Sequence, residues 1–187
     1  MIRLLRFSDY REMRWKNGQG VTHEVCRRPD REDYDWRISL ATIREAGPFS
    51  LFSDYLRNIS VLEGRSMTLT IDGVAGEPIP PFQATDFSGE SDVFCRPEGG
   101  PLLDFNVIYR EGVIQASVSW QTDGEWQHQH GSLVLFNGGA ALEVRVDGQV
   151  YHLHKYDSLL IDGRALIHVI SGQQTRFARI CLEALPA

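Results

Sequence analysis

Met67-Thr68-Leu69-Thr70-Ile71-Asp72-Gly73 alternates apolar and polar side chains and then breaks on an Asp-Gly pair. The same order returns 75 residues later as Leu142-Glu143-Val144-Arg145-Val146-Asp147-Gly148. Alternation with period two marks a half-buried strand, and Asp-Gly tolerates the positive φ of a tight hairpin. A glycine precedes each run at the same distance, Gly64 and Gly139, with Val61-Leu62 and Leu135-Phe136 upstream. Downstream, Phe87-Ser88-Gly89 finds its counterpart in Ile161-Asp162-Gly163 at an offset of 74, followed by Val93 and Ile167. Asp-Gly turns recur by chance in β proteins, but ordered landmarks at nearly one offset indicate an internal duplication.

Working outward, period two dominates the rest of the chain. Trp36–Thr42, Ile59–Leu62, Leu103–Tyr109 and Val113–Trp120 read as short strands, as do Ser132–Phe136, Gln149–Leu153, Ser158–Ile161, Leu166–Ile170 and Arg176–Leu182. Asn17-Gly18, Asn137-Gly138 and Asp162-Gly163 supply further turns. No segment sustains a helical apolar stripe, so the fold class is all-β. The rhythm of short antiparallel strands resembles the cupin, or jelly-roll (RmlC-like), barrel, and two fused copies make a bicupin. The expected division is residues 1–110, a barrel with a polar pocket, and residues 111–187, a plainer and mainly structural barrel. The first copy carries an extension of about 55 residues before its repeat begins.

Composition narrows the function classes. The 187 residues include 19 basic and 25 acidic side chains, a formal net charge of −6. Net acidity argues against nucleic acid as a direct partner, which would require a clustered basic face. Hydrophobic residues make up 42% and charged residues 24%, as in an ordinary globular chain. No apolar run approaches the roughly 18 residues of a membrane span, and Met1–Met13 lacks the long apolar stretch of a signal peptide. Cys26, Cys95 and Cys181 are an odd count without a close pair. Reduced thiols in a cytoplasm are the simplest expectation.

The polar residues of the first half carry the chemistry. Trp15-Lys16-Asn17-Gly18-Gln19-Gly20-Val21-Thr22-His23-Glu24 holds glycines that let backbone approach a ligand, with Thr22 and Glu24 on one strand face. An ordinary hairpin tip is the plain alternative. In Trp36-Arg37-Ile38-Ser39-Leu40-Ala41, Arg37 and Ser39 share a face, while Trp36, Ile38 and Leu40 share the other. Asp104 and Asn106 likewise oppose Phe105, Val107 and Tyr109, and Arg57 opens a further strand. Such groups, if buried, need partners. Arg37, Arg57 and Lys16 would pair with Asp104 and Glu24, or with a bound anion, since guanidinium groups grip carboxylates in bidentate fashion. An internal salt-bridge network at the barrel mouth and an anion site are both consistent with the spacing.

Metal and nucleophile chemistry are weakly signalled. His128-x-His130 and His152-x-His154 have the strand spacing that puts two imidazoles on one face. The first pair falls in Asp123–Gly131, which reads as a connection, and the first half has no histidine pair. No metal and no other cofactor is expected. No Gly-x-Ser-x-Gly elbow occurs and no cysteine has an identifiable histidine partner, although Asp104 and Glu24 have the chemistry of an acid and a base.

At these residues the sequence resembles the HutD/Ves family of bacterial proteins. The matching stretches are Met13–Glu24, Trp36–Ala41, Gly47-Pro48-Phe49-Ser50-x-Phe52, Arg57 with Leu62-x-Gly64, and Asp104–Val107. Gln19 departs from the family pattern, which usually shows a third glycine there. The resemblance implies a bicupin, a link to histidine utilisation, and a metal-independent pocket on the first barrel for small carboxylates such as formate, formylglutamate or urocanate. It implies ligand contacts from Trp15, Asn17, Thr22, Glu24, Trp36, Arg37, Ser39, Arg57, Asp104 and Asn106. The expected partner is therefore a small anionic metabolite, sensed by a regulator, with a homodimer as an option. The rival reading is an enzyme, a hydrolase or isomerase acting on a small formamide or amide acid, with Glu24 or Asp104 as general base.

Overall fold

The computed structural model describes residues 1–16, 18, 20–172 and 175–186. Strand β1 (Ile2–Leu5) opens the chain, followed by a single 3₁₀ turn at Phe7–Asp9. Next come β2 (Arg11–Arg14), β3 (Val21–Arg28), β4 (Trp36–Ile43), β5 (Gly47–Pro48) and β6 (Tyr55–Glu63). They are followed by β7 (Ser66–Ile71), β8 (Val74–Ala75), β9 (Thr85–Ser88), β10 (Val93–Glu98) and β11 (Leu102–Arg110). The remainder is β12 (Ile114–Gln121), β13 (Gly124–His128), β14 (Ser132–Asn137), β15 (Leu142–Val146), β16 (Gln149–Leu153), β17 (Ser158–Asp162), β18 (Ala165–Ile170) and β19 (Phe177–Ala184). The fold is all-β and bicupin, with two compact units, Arg11–Val113 and Met1–Tyr10 joined with Ile114–Ala187.

In the Arg11–Val113 unit a six-stranded sheet, β2-β3-β4-β11-β6-β9, accompanies a four-stranded sheet, β5-β10-β7-β8. Alternation along the central strands buries both faces of the larger sheet. Ile38, Leu40, Phe105 and Val107 are fully buried on one face. Ile59 and Val61 project from the other into a core with Met67, Leu69, Val93 and Cys95. Register decides which polar groups join that second face. Antiparallel pairing sets Ser39 opposite Asn106, Ala41 opposite Asp104 and Arg37 opposite Ile108. Arg57 lies opposite Ile108 from the other side, and Thr22 opposite Ala41. Directly paired residues share a face, so the polar set converges.

The second unit repeats the plan: β1-β17-β14-β19-β12 and β13-β18-β15-β16. Leu133, Leu135, Val144, Leu153, Leu159 and Phe177 form its core. Asp72-Gly73 and Asp147-Gly148 all take positive φ, as the matched hairpins require. Two expectations are corrected. The expected division at residue 110 moves to Val113, and Met1–Tyr10 leaves the first unit. Its β1 pairs with β17, Ile2 opposite Ile161 through Leu5 opposite Ser158, and Ile2 and Leu4 pack on the second core. The segment read as a connection, Asp123–Gly131, contains β13, paired with β18. His128 is buried there, its Nε2 3.3 Å from the Gly131 carbonyl.

Candidate functional site

The converging face of the Arg11–Val113 unit borders a cavity of about 520 Å³. Trp15, Thr22, Arg37, Ser39, Arg57, Asp104 and Asn106, all expected from the sequence, line it, and Lys16 does as well. Asn17, and the departing Gln19, lie outside the described residues. Arg37 and Ser39 reach the cavity because they alternate with Ile38 and Leu40 along β4; Asp104, Asn106 and Ile108 reach it by the same rule along β11.

Trp36 is corrected by that same parity. It shares the face of Ile38 and Leu40, is buried, and does not line the cavity. Glu24 is corrected for a different reason. It pairs opposite Ser39, but its Oε1 accepts a hydrogen bond from Arg27 Nε at 2.7 Å, within an ion pair, and it does not line the cavity.

At the heart of the site a guanidinium, an amide and a carboxylate are linked in series. Arg57 Nη2 donates to Asn106 Oδ1 at 2.7 Å, and Asn106 Nδ2 donates to Asp104 Oδ1 at 2.8 Å. The Ala41 backbone N–H donates to the same oxygen at 3.1 Å. The amide is thus held in one orientation by a donor on one side and an acceptor on the other. Burial pushes the Asp104 carboxyl up to about 7, against the opposing pull of Arg57, Asn106 and the Ala41 N–H. Burial likewise lowers Arg57 to about 10, with Asp104 opposing, so the guanidinium stays charged at neutral pH.

Arg57 is caged by three phenylalanines, its guanidinium carbon 5.0 Å from the Phe49 ring centroid, 5.2 Å from Phe52 and 4.9 Å from Phe87. The aromatic faces offset part of the desolvation of the cation without supplying an acceptor. Arg57 Nε is buried and has no hydrogen-bond partner. Arg37 is similar: its guanidinium lies over Tyr34 at 5.4 Å and Phe52 at 5.7 Å, and its buried Nε is also unpartnered. Among the described residues neither arginine enters an ion pair.

Arg14, Trp15, Lys16 and Thr22 contribute a further part of the lining. Trp15 Nε1 donates to Thr22 Oγ1 at 2.9 Å. Its ring presses on Gly20, where a Cβ would stand 2.7 Å from the indole and 2.8 Å from the Thr42 carbonyl oxygen. Arg14 and exposed Lys16 add cationic groups at the lining. Cys95 belongs to the buried core of this unit, and burial pushes its thiol up to about 12, which removes it as a nucleophile. Among the described residues no group of three or more His, Cys, Asp or Glu is placed to hold a metal ion.

Sequence reasoning did not assign Phe49, Phe52 and Ile108 to the site. Ile108 follows from the parity of Asp104 and Asn106. The two phenylalanines sit in the connection after β5, where no periodicity announces a facing; their signal was membership of the matching stretch Gly47–Phe52.

A profile of the HutD family matches residues 7–178. The chain belongs to the HutD family. An uncharacterised 21.2 kDa protein in the hutC 3′ region of Pseudomonas putida is 40% identical over 166 residues, 87% of each chain. Among solved structures, the conserved protein of unknown function PA5104 from Pseudomonas aeruginosa PAO1 superposes with TM-score 0.92 at 33% identity, covering 98% of this chain and 99% of that one. HutD from Pseudomonas fluorescens SBW25 (formate condition) superposes with TM-score 0.87 at 35% identity over the full length of both chains. The likeness to the two solved structures runs through both units.

Proposed function

We propose that this HutD-family chain is a cytoplasmic binding protein for a small anionic metabolite, held by its carboxylate in the Arg11–Val113 cavity. One observation carries the reading. Two arginines line the cavity with no carboxylate in direct contact with either among the described residues, Asp104 reaching Arg57 only through Asn106, and each keeps a buried, unpartnered Nε–H. A desolvated cation without a directly paired anion is costly, and a carboxylate matches the guanidinium fork. In this reading Arg57 and Arg37 grip the carboxylate, Asn106, Ser39 and Thr22 orient the rest, and the phenylalanine cage holds Arg57 in place. Family membership extends the proposal to a regulator of histidine utilisation that senses an anionic intermediate.

Purified protein screened by thermal shift against formate, formylglutamate, urocanate, formiminoglutamate, glutamate and histidine tests this. A ligand at 100 times its Kd stabilises by about 2.7 kcal/mol. Arg57→Ala should weaken binding by at least about 2 kcal/mol, as when a buried charged hydrogen bond is broken. Arg57→Met, which keeps packing against the phenylalanines, controls for folding. Unchanged affinity in both variants would exclude Arg57 as the anchor.

A second reading rests on Asp104. A carboxyl that titrates near 7 and lines a cavity suits general acid–base catalysis, so hydrolysis or isomerisation of a small formamide or amide acid is the rival. Glu24 drops out as base because Arg27 holds it. Turnover lost in Asp104→Asn with binding retained would select the enzyme.

A further inference from the structure

The later unit holds a guanidinium of its own under an aromatic ring, Arg179 beneath Trp126. In the later unit β19 occupies the place of β11, pairing with β14 and β12 as β11 pairs with β6 and β4. The face of β11 that presents Asp104 and Asn106 corresponds to the face of β19 that presents Phe177, Arg179 and Cys181, and the offset of 75 carries Asp104 onto Arg179. An acid in one copy is a cation in the other.

The aromatic partner is duplicated too. Gly47 pairs with Cys95, which pairs with Leu69; Gly124 pairs with Val169, which pairs with Val144, the repeat counterpart of Leu69. Phe49 and Trp126 each stand two residues beyond their glycine. Phe49 covers Arg57 at 5.0 Å, and Trp126 covers Arg179 at 4.8 Å. The arrangement of an aromatic ring over a guanidinium therefore recurs, although the two arginines come from different strands of the plan.

Arg179 Nε and Trp126 Nε1 are both buried and both lack a hydrogen-bond partner. Trp126 is fixed by stacking on Phe177, ring centroids 6.2 Å apart at 12°, so its N–H cannot turn freely to find an acceptor. Among the described residues Arg179 makes no ion pair. Exposed Ser119 lies opposite Arg179 on β12, and exposed Ser117 opposite Cys181, which puts hydroxyls on the same row. Buried donors are almost always satisfied; an orphaned indole N–H and an orphaned N–H of the guanidinium that it covers, on a row with two hydroxyls, match the acceptor oxygens of an oxyanion.

We propose that Arg179, Trp126 and Ser119 form a second oxyanion site on the later unit, independent of the Arg11–Val113 cavity, for a carboxylate or a phosphate group. The test follows the indole N–H signals of the full chain by nitrogen–proton correlation NMR, with Trp126→Phe assigning the Trp126 peak. Formate and inorganic phosphate are titrated separately, with chloride matched for ionic strength. The Trp126 peak should shift saturably with at least one oxyanion, and the ion that shifts it distinguishes carboxylate from phosphate. The shift should persist in Arg57→Met, and Arg179→Met should raise the apparent Kd at least about tenfold. Arg179→Gln serves the same purpose if the methionine variant loses the dispersed pattern of the other three indoles. An equal shift with chloride, no shift with either oxyanion, or an unchanged Kd in a folded Arg179 variant would overturn the site. Any of these leaves the proposal for the first cavity standing, because that one is read from Arg57.

Discussion

Asp104→Asn should erase one slope from the stability–pH profile of the protein. The folded carboxyl keeps its proton up to about 7, whereas an unperturbed one releases it near 3.8. Between these values the native state binds more protons than the unfolded chain, so stability falls as pH rises. At 1.36 kcal/mol per pH unit, the interval from 3.8 to about 7 amounts to about 4 kcal/mol. The contribution is fully present below the lower value, lost progressively between the two, and absent above the upper one. Asparagine retains an acceptor for the Ala41 N–H and for Asn106 but has no charge to desolvate. Removing the carboxylate also deprives Arg57 of the charge that raises its pKa, which moves the absolute stability of the variant but not this slope. Urea unfolding of both proteins from about pH 4 to about pH 8 reads the difference directly. The variant should gain on the parent by about 4 kcal/mol up to about pH 7 and then run parallel. Parallel curves across the whole range would refute the burial argument for Asp104.

Other outcomes follow from the same geometry. Affinity for a carboxylate should weaken as pH rises through about 7, because the ionising Asp104 repels it, and Asp104→Asn should flatten that dependence in calorimetric titrations. Gly20→Ala should destabilise by about 1–3 kcal/mol through overpacking against Trp15 and the Thr42 carbonyl, measured by chemical denaturation. Leu135→Ala in the fully buried core of the second unit should cost about 2–5 kcal/mol, visible as a lowered thermal midpoint.

Much of the site was legible because β structure has a rigid two-residue period. Once Arg37 and Ser39 are read on one face of a strand, and Asp104 and Asn106 on one face of another, their common side needs only a pairing to bring them together. The same rule already set Trp36 apart, and the structure keeps it with Ile38 and Leu40. Glu24 shows where parity stops being sufficient: it shares the row of Ser39, yet Arg27, three residues along, captures its carboxylate. The aromatic cage was illegible for another reason. Phe49 and Phe52 lie in a connection, where no period dictates a facing, and only the fold brings them over Arg57 with Phe87.

By itself the sequence determined the all-β class, the hairpins at Asp72-Gly73 and Asp147-Gly148, the duplication, and which residues of each strand travel together. These depend on local backbone sterics and on the alternation of side chains, and both are written within a few residues. Tertiary structure alone decided that β1 completes the later unit, that Asp123–Gly131 contains a pairing strand, and that Asn106 bridges Arg57 and Asp104. Each of these is a contact between segments far apart in the chain. Their register is chosen by which whole set of apolar side chains can be buried at once, a quantity no local stretch contains.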